Sequence, residues 1–175
     1  CLFTGCVNQH PKDSKKSSQG ESVETMLEIT DPKEKQAVLN AKAKVKALSG
    51  NPRIVATSPA VADICDKLDL DLVGVPKSSV SKIPSRYKKV KKVGLAMSPD
   101  MEIVSSLNPD WILAPSSLET DLKPKFEELK NTEYAFLNLR SVQGMYRSVQ
   151  ELGEIFGKQQ EAEKMTKEFT TFYKS

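Results

Sequence analysis

The stretch GLAMSPDMEIVSSLNPDWILAP (residues 94–115) contains a predicted helix and a predicted strand joined by a short turn. Ser98, Pro99 and Asp100 have the pattern of a helix start, with serine as N-cap, proline in the first helical position and a carboxylate in the first turn. A short amphipathic helix follows, Asn-Pro-Asp ends it, and the apolar run WILAP (111–115) predicts a strand. This unit indicates an α/β protein.

The same alternation of helix and strand runs through most of the chain. Three further apolar runs are predicted strands: RIVAT (53–57), LVGVP (72–76) and YAFLNL (134–139). Because each strand is a nearly continuous apolar run, both of its faces are expected to be covered, as is typical of parallel sheets. We therefore predict an α/β fold, an open and mainly parallel sheet with helices on both faces.

Composition limits the chain to one ordinary core. It has 175 residues, of which 38% are hydrophobic, and a formal net charge of +3. A chain of this size can bury one core, and so small a net charge gives no reason to expect a nucleic-acid partner. The basic run SRYKKVKK (85–92) is expected to be a solvated surface, and no apolar run approaches the roughly eighteen residues of a membrane span.

The N-terminal residues 1–30 differ from the rest of the chain. CLFTGCVNQ (1–9) resembles the end of a bacterial lipobox, in which the cysteine after a small residue is acylated. NQHPKDSKKSSQGES (8–22) has the polar bias of a segment that cannot form a core. We expect Cys6 to be lipidated and the segment to tether a domain close to a membrane. The alternative is a frayed tail with two incidental thiols.

The remaining residues divide into three parts. Residues 31–50 predict a charged accessory helix or linker, and residues 51–157 form the domain proper. Near the other end lies an apolar stripe at helical spacing, formed by Met165, Phe169, Phe172 and Tyr173. No later segment of the chain would bury this stripe. Residues 158–175 are therefore expected to begin a longer helix, and the chain to be part of a larger protein.

Three turns rich in serine and threonine follow predicted strands: TSPAV (57–61), VPKSSVS (75–81) and APSSLE (114–119). The turns after parallel strands meet at the carboxyl edge of the sheet, where open α/β sheets bind ligands. Two of them run into helix starts, whose N–H groups suit a carboxylate or phosphate. The alternative for each turn is ordinary N-capping. None contains a glycine-rich dinucleotide motif or a P-loop.

Four single residues carry chemistry that a site could use. Met97 directly precedes the predicted helix start, and its thioether is a soft ligand for haem iron or copper; the alternative is packing against a neighbouring loop. Glu102 has an ordinary role in compensating the helix dipole. Cys65 is predicted to be a small core residue. His10, the only histidine, lies in the predicted tether, and with no catalytic set to assemble we predict no enzyme.

The order of these segments resembles the class III substrate-binding proteins of ABC importers, which take up ferric siderophores, haem and cobalamin. The resemblance covers residues 53 to about 173 and rests on PRIVATSPAVADICDKLDLDLVGVP (52–76) and KKVGLAMSPDMEIVSSLNPDWILAP (91–115). Within the family, the chain looks most similar to the haem-binding lipoproteins of Gram-positive iron-regulated surface systems. Family members have two lobes joined by a long helix. The resemblance thus implies that residues 51–157 are the N-terminal lobe and that residues 158–175 are the truncated start of the inter-lobe helix.

The resemblance also implies roles for individual residues. Met97 takes the position of an axial ligand of haem iron, and Glu102 that of a carboxylate that docks on a permease arginine. Positions where family members surround the haem propionates are matched by Ser58, Pro59, Ala60, Ser78, Ser79, Ser116, Ser117 and Leu118. A histidine ligand and a second docking carboxylate would belong to the other lobe.

The expected function is that of a haem-binding lipoprotein, anchored on the outer face of the cytoplasmic membrane, which delivers haem (iron protoporphyrin IX) to the permease and ATPase of an ABC importer. The nearest alternative is the same fold carrying a ferric siderophore or cobalamin. Two other classes stay open, a flavodoxin-like signalling or enzyme domain and a structural surface lipoprotein. Against the first, the strand ends lack the acidic cluster of a phosphoacceptor site.

Overall fold

Helices and strands alternate throughout residues 28–174, the range that the computed structural model describes. The predictions for Cys6, His10 and most of the tether lie outside this range. In chain order the elements are α1 (Pro32–Lys46), β1 (Ile54–Ala56), α2 (Pro59–Lys67), β2 (Gly74–Val75), β3 (Lys91–Lys92), β4 (Gly94–Leu95), β5 (Ser98–Pro99), α3 (Met101–Ser106), β6 (Trp111–Pro115), α4 (Glu119–Glu127), β7 (Glu133–Leu137), α5 (Val142–Phe156) and α6 (Gln159–Lys174). Two short 3₁₀ turns, Ser85–Tyr87 and Ser116–Leu118, precede β3 and α4.

Five strands form one sheet in the order β3-β2-β1-β6-β7, and every pair of neighbours in it is parallel. In the centre, Val55 of β1 lies opposite Gly74 on one side and Ile112 on the other. The predicted α/β fold with a mainly parallel sheet is confirmed. The remaining two strands, β4 and β5, pair only with each other as an antiparallel hairpin.

Two apolar cores cover the two faces of the sheet. On one face, side chains of α1, α2, α5 and α6 pack around Ile54, Ala56 and Leu113. On the other face, α3 and α4 pack against Val55 and Ile112. Successive residues of β1 therefore contribute to opposite cores, because side chains alternate across a strand. This alternation explains why the strands are nearly continuous apolar runs.

Helix α1 packs against the helices that cover one face of the sheet. Val38 of α1 is 9% exposed and belongs to the core. Lys42 of the same helix lies 3.1 Å from a carboxylate oxygen of Glu154 on α5. Helix α1 thus joins the first core through Val38, Ala41 and Val45 and makes a partly exposed ion pair with α5.

The last helix turns back along α5. Gly157 ends α5 with a φ of +69°, a left-handed conformation that favours glycine. A Cβ atom on Gly153 would lie 2.6 Å from the Cβ of Ala162, so glycine permits the close approach of the two helices. Met165 and Phe169 are buried, at 8% and 3% exposure. An earlier segment of the chain, α5, therefore covers these two residues of the stripe, for which the sequence analysis considered only later segments.

The basic run is anchored by its first residues. The Tyr87 side chain is 2% exposed, and its hydroxyl donates to the Leu70 carbonyl at 2.5 Å. Arg86 makes two hydrogen bonds of 3.0 Å, to the carboxylates of Asp69 and Asp71. Cys65 packs in the same core, where burial raises the pKa of its thiol to about 12. The prediction that Cys65 is a core residue is confirmed.

Removing the Tyr87 hydroxyl should destabilise the fold. We expect Tyr87→Phe to lower the free energy of unfolding by about 1 to 2 kcal/mol, because the buried Leu70 carbonyl loses its donor. Tyr134→Phe is the matched control, since the Tyr134 hydroxyl donates to Glu127 in an exposed bond, and it should change stability by less than about 0.5 kcal/mol. Urea unfolding of the two variants measures both values. Equal losses would contradict the role given to the buried bond.

The interface between α1 and α5 should make stability depend on pH. Burial, and then a hydrogen bond with Glu34, raise the pKa of Glu151 from 4.5 to about 8. Between these values the folded chain keeps a proton that the unfolded chain releases, so the free energy of unfolding falls as pH rises. Glu151→Gln cannot ionise and should not show this loss. The free energy of unfolding of the variant, compared with that of the native chain, should therefore be more favourable at pH 8 than at pH 5.

Glu168→Gln is the control for this measurement, because Glu168 is an exposed residue of α6. The free energy of unfolding is measured in urea at several pH values from 5 to 8. Its slope against pH should be the same for the control as for the native chain and shallower for Glu151→Gln. If the slope for Glu151→Gln matched that of the native chain, Glu151 would not be the cause of the pH dependence of stability.

Candidate functional site

The strand order reverses between β1 and β6. The chain adds β2 and β3 on one side of β1, then returns to place β6 and β7 on its other side. Open α/β sheets bind their ligands at the carboxyl ends of the strands at such a point. Ser58 follows β1, and Ser116 and Ser117 follow β6. Two of the three predicted serine turns therefore flank the point of reversal.

In the first of these turns the polar groups are largely engaged within the fold. Ser58 is 6% exposed and caps α2, since its hydroxyl accepts from the Val61 N–H at 3.2 Å. Thr57 is fully buried, and its hydroxyl donates to the Leu113 carbonyl at 3.3 Å. Pro59 and Ala60 open the helix, and Pro59 has no N–H to offer. A ligand here would meet a rigid helix start rather than a free loop.

The other two turns are more open. Ser78 is half-buried and Ser79 is exposed, and the Ser78 hydroxyl accepts from the Ser81 N–H at 3.0 Å. Ser117 is exposed, while Ser116 and Leu118 are half-buried in the 3₁₀ turn that leads into α4. Leu118 is the N-cap of α4 and makes no side-chain capping bond. The N–H of Glu119, the first residue of α4, donates instead to the Ser116 carbonyl of the preceding 3₁₀ turn.

Met97 lies at the tip of a β-hairpin. Strands β4 and β5 pair with Leu95 opposite Ser98, so Ala96 and Met97 form the two-residue turn between them. The prediction that Ser98 caps the following helix and Pro99 begins it is wrong. Asp100 is the N-cap, and its carboxylate accepts from the N–H groups of Glu102 and Ile103 at 3.1 and 3.2 Å.

Backbone pairing moves the helix start beyond the Ser-Pro sequence. Gly94 begins the hairpin with a φ of +100°, and a Cβ atom there would lie 3.1 Å from the Asp100 nitrogen. The Asp100 N–H donates to the Val93 carbonyl at 2.6 Å and closes the hairpin. The Lys77 N–H donates to the Gly94 carbonyl at 2.7 Å. This last bond places the hairpin beside the turn that contains Ser78 and Ser79.

Exposed apolar side chains concentrate at this edge of the sheet. Among residues 28–171, the range whose side chains the structure describes, five large hydrophobic side chains are exposed, and only Leu39, on α1, lies away from the carboxyl edge. The other four follow β2, β3 or β7 and are here called the apolar rim: Val80 (94% exposed), Leu95 (59%), Met97 (76%) and Val142 (54%). The sequence pattern points only to Met97, since nothing in the local sequence of the other three shows that they are exposed.

Glu102 lies in the first turn of α3, the helix that follows the hairpin. The residue is exposed, and in the described part of the chain no ion pair involves its carboxylate. Its position at a helix N-terminus stabilises the helix dipole. The structure therefore keeps both roles available, dipole compensation and contact with a cationic partner.

Ordinary metal centres and membrane spans are not found between residues 28 and 174. No group of three or more histidine, cysteine, aspartate or glutamate side chains in this range could hold a metal ion. No helix in the same range is both long and apolar enough to cross a membrane. The thioether of Met97 is exposed at the hairpin tip, and thioether sulfur is a soft donor to metals.

Sequence comparison finds close relatives. The periplasmic binding protein family matches residues 54–175. The high-affinity heme uptake system protein IsdE of Staphylococcus aureus (strain Newman) is 36% identical over 117 residues, which are 67% of this chain and 39% of that protein. The chain thus spans well under half the length of this relative.

Two solved structures share the fold. An ABC transporter substrate-binding protein from Listeria monocytogenes EGD-e superposes with a TM-score of 0.66 at 44% identity, covering 70% of this chain and 46% of that one. S. aureus IsdE complexed with heme superposes with a TM-score of 0.65 at 34% identity and the same coverage. Since the family match covers more than half of the chain and solved relatives share its sheet and helices, this chain belongs to the periplasmic binding protein family.

Proposed function

We propose that this chain is part of a haem-binding lipoprotein that delivers haem to an ABC importer. The observation that carries the proposal is the exposed thioether of Met97 on a hairpin tip within the apolar rim. Haem combines a flat apolar macrocycle, a central iron and two carboxylates. The edge of this sheet offers a group for each of these parts.

The rim suits the macrocycle and its iron. Removing exposed apolar surface from water contributes about 25 cal/mol per Å² to the free energy of binding. Covering the rim would therefore favour the binding of an apolar ligand. Met97 would supply an axial sulfur ligand to the iron, as thioethers do in other haem proteins. A hydrophilic ferric siderophore would gain much less from covering Val80, Leu95 and Val142. The rim therefore favours haem over the siderophore alternative.

The serine turns suit the propionates. The positive ends of two helix dipoles, α2 and α4, face the carboxyl edge of the sheet, and each can contribute roughly 0.3 to 1 kcal/mol toward a carboxylate. The hydroxyls of the exposed Ser79 and Ser117 are the accessible side-chain donors in these turns. The buried Ser58 would act by holding the start of α2 in place.

The remaining parts of the proposal concern transport. Glu102 would contact a cationic residue of the permease, with the importer's ATPase as the further partner. Lipidation of Cys6 would hold the protein on the outer face of the cytoplasmic membrane. The haem-binding relative named above supports this assignment, and members of its family bind ligands rather than transform them, so we propose no catalysis.

Removing the Met97 sulfur should change the spectrum of bound haem. We expect the full chain to show a Soret band on haem titration, and Met97→Ala and Met97→Leu to shift it and weaken binding about tenfold, equivalent to about 1.4 kcal/mol. Met97→Leu retains the apolar side chain and so isolates the contribution of the sulfur. Leu39→Ala is the control, because Leu39 is exposed away from the carboxyl edge.

Three outcomes would count against this assignment. An unchanged spectrum in both Met97 variants would remove the axial-ligand role. An equal effect of Leu39→Ala would show that exposed apolar residues in general, and not the rim, bind the haem. Binding of a ferric siderophore in preference to haem, measured by competition, would overturn the haem assignment in favour of the siderophore alternative.

Glu102 should affect transport and leave haem binding unchanged. We expect Glu102→Gln to lower haem uptake by cells that carry the importer about tenfold, because truncating one partner of a charged contact typically costs more than 1 kcal/mol. The affinity for haem should stay the same. Asp121→Asn is a matched control, since Asp121 is also an exposed carboxylate in the first turn of a helix. Equal losses in the two variants would contradict a specific docking role.

A further inference from the structure

Met97 is the most exposed of the methionines described between residues 28 and 174. Its side chain is 76% exposed, whereas Met165 is 8% exposed and both Met101 and Met145 are half-buried against the cores. Susceptibility of a thioether to oxidation follows its exposure. Oxidants in water therefore reach the sulfur of Met97 before the sulfurs in the cores.

The hairpin beneath Met97 can tolerate a change at its tip. The bond between the Asp100 N–H and the Val93 carbonyl and the bond between the Lys77 N–H and the Gly94 carbonyl fix its base. Neither involves the Met97 side chain, which is absent from both apolar cores. Oxidation of Met165 or Met145 would place a polar group in a packed core, while oxidation of Met97 would leave the packing intact.

We propose that Met97 is a site of reversible oxidation by peroxide and that its sulfoxide form binds haem less tightly. In the reaction the sulfur lone pair attacks one peroxide oxygen, the O–O bond breaks and an S–O bond forms. The other oxygen leaves as water after taking up the two protons. Sulfur is oxidised by two electrons and the peroxide is reduced by two.

The effect on haem rests on the proposed function. The sulfoxide replaces a soft sulfur donor with a hard oxygen and makes an apolar side chain polar. Both changes act against a haem lying on the apolar rim. Reduction by methionine sulfoxide reductases restores the thioether, so loading with haem would follow the local balance of peroxide and reductant.

The site is tested first without haem. The full chain is treated with hydrogen peroxide for increasing times, quenched with catalase and digested, and the sulfoxide at each methionine is measured by mass spectrometry. We expect Met97 to react about tenfold faster than Met165, as their exposures indicate. A rate at Met97 no greater than that at Met165 would overturn the proposal.

The consequence is tested on chain oxidised only at Met97 and freed of peroxide. Its haem affinity should fall about as far as that of Met97→Leu, its melting temperature should not change, and a mixture of the two methionine sulfoxide reductases should restore binding. Met97→Leu treated with peroxide in the same way should show no further loss. Unchanged haem affinity after oxidation of Met97 would overturn the proposal. Absence of haem binding before any treatment would instead overturn the proposed function, while the order of oxidation rates would still decide the modification site.

Discussion

The position of β1 between β2 and β6 is the constraint on which the rest of the structure depends. All three residues of this strand are fully buried, and parallel partners hydrogen-bond to both of its edges. Both faces must therefore be covered by helices, which fixes the two cores. The strand order also reverses at β1, which is where open α/β sheets bind ligands at the carboxyl ends of their strands. One buried strand thus determines both the packing of the two cores and the position of the carboxyl edge of the sheet.

The hairpin 94–99 meets that edge with a rigid base and an exposed tip. Two short backbone hydrogen bonds hold the base, one to Val93 and one to the turn after β2. The antiparallel pairing uses the backbone of Ser98 and Pro99 and leaves Met97 in the turn. A thioether in a packed loop could not reach a ligand, and one on a free loop would lose entropy on binding. A flexible side chain on an ordered turn avoids both costs.

The sequence predicts the fold much better than it predicts the hairpin and the exposed side chains at the carboxyl edge of the sheet. WILAP (111–115) is a strand with the predicted bounds, because a continuous apolar run between turn signals has few other structures open to it. The Ser-Pro-Asp pattern fails by two residues because capping preference is local, whereas the pairing of Ser98 with Leu95 depends on the hairpin and its glycine. The partner of Met165 and Phe169 depends on the reversal at Gly157. Exposure of Val80, Leu95 and Val142 follows from packing alone, so no pattern in the chain could indicate it.

Few side chains between residues 28 and 174 offer a soft donor to the iron of the proposed complex. Haem iron takes two axial ligands, and Met97 would supply one of them. Cys65 is the only cysteine in the described range, and burial in the core keeps its thiol protonated and out of reach. Met101 and Met145 pack against the cores, and no histidine occurs after His10. Of the methionine and cysteine side chains that the structure describes, Met97 is therefore the one that is exposed.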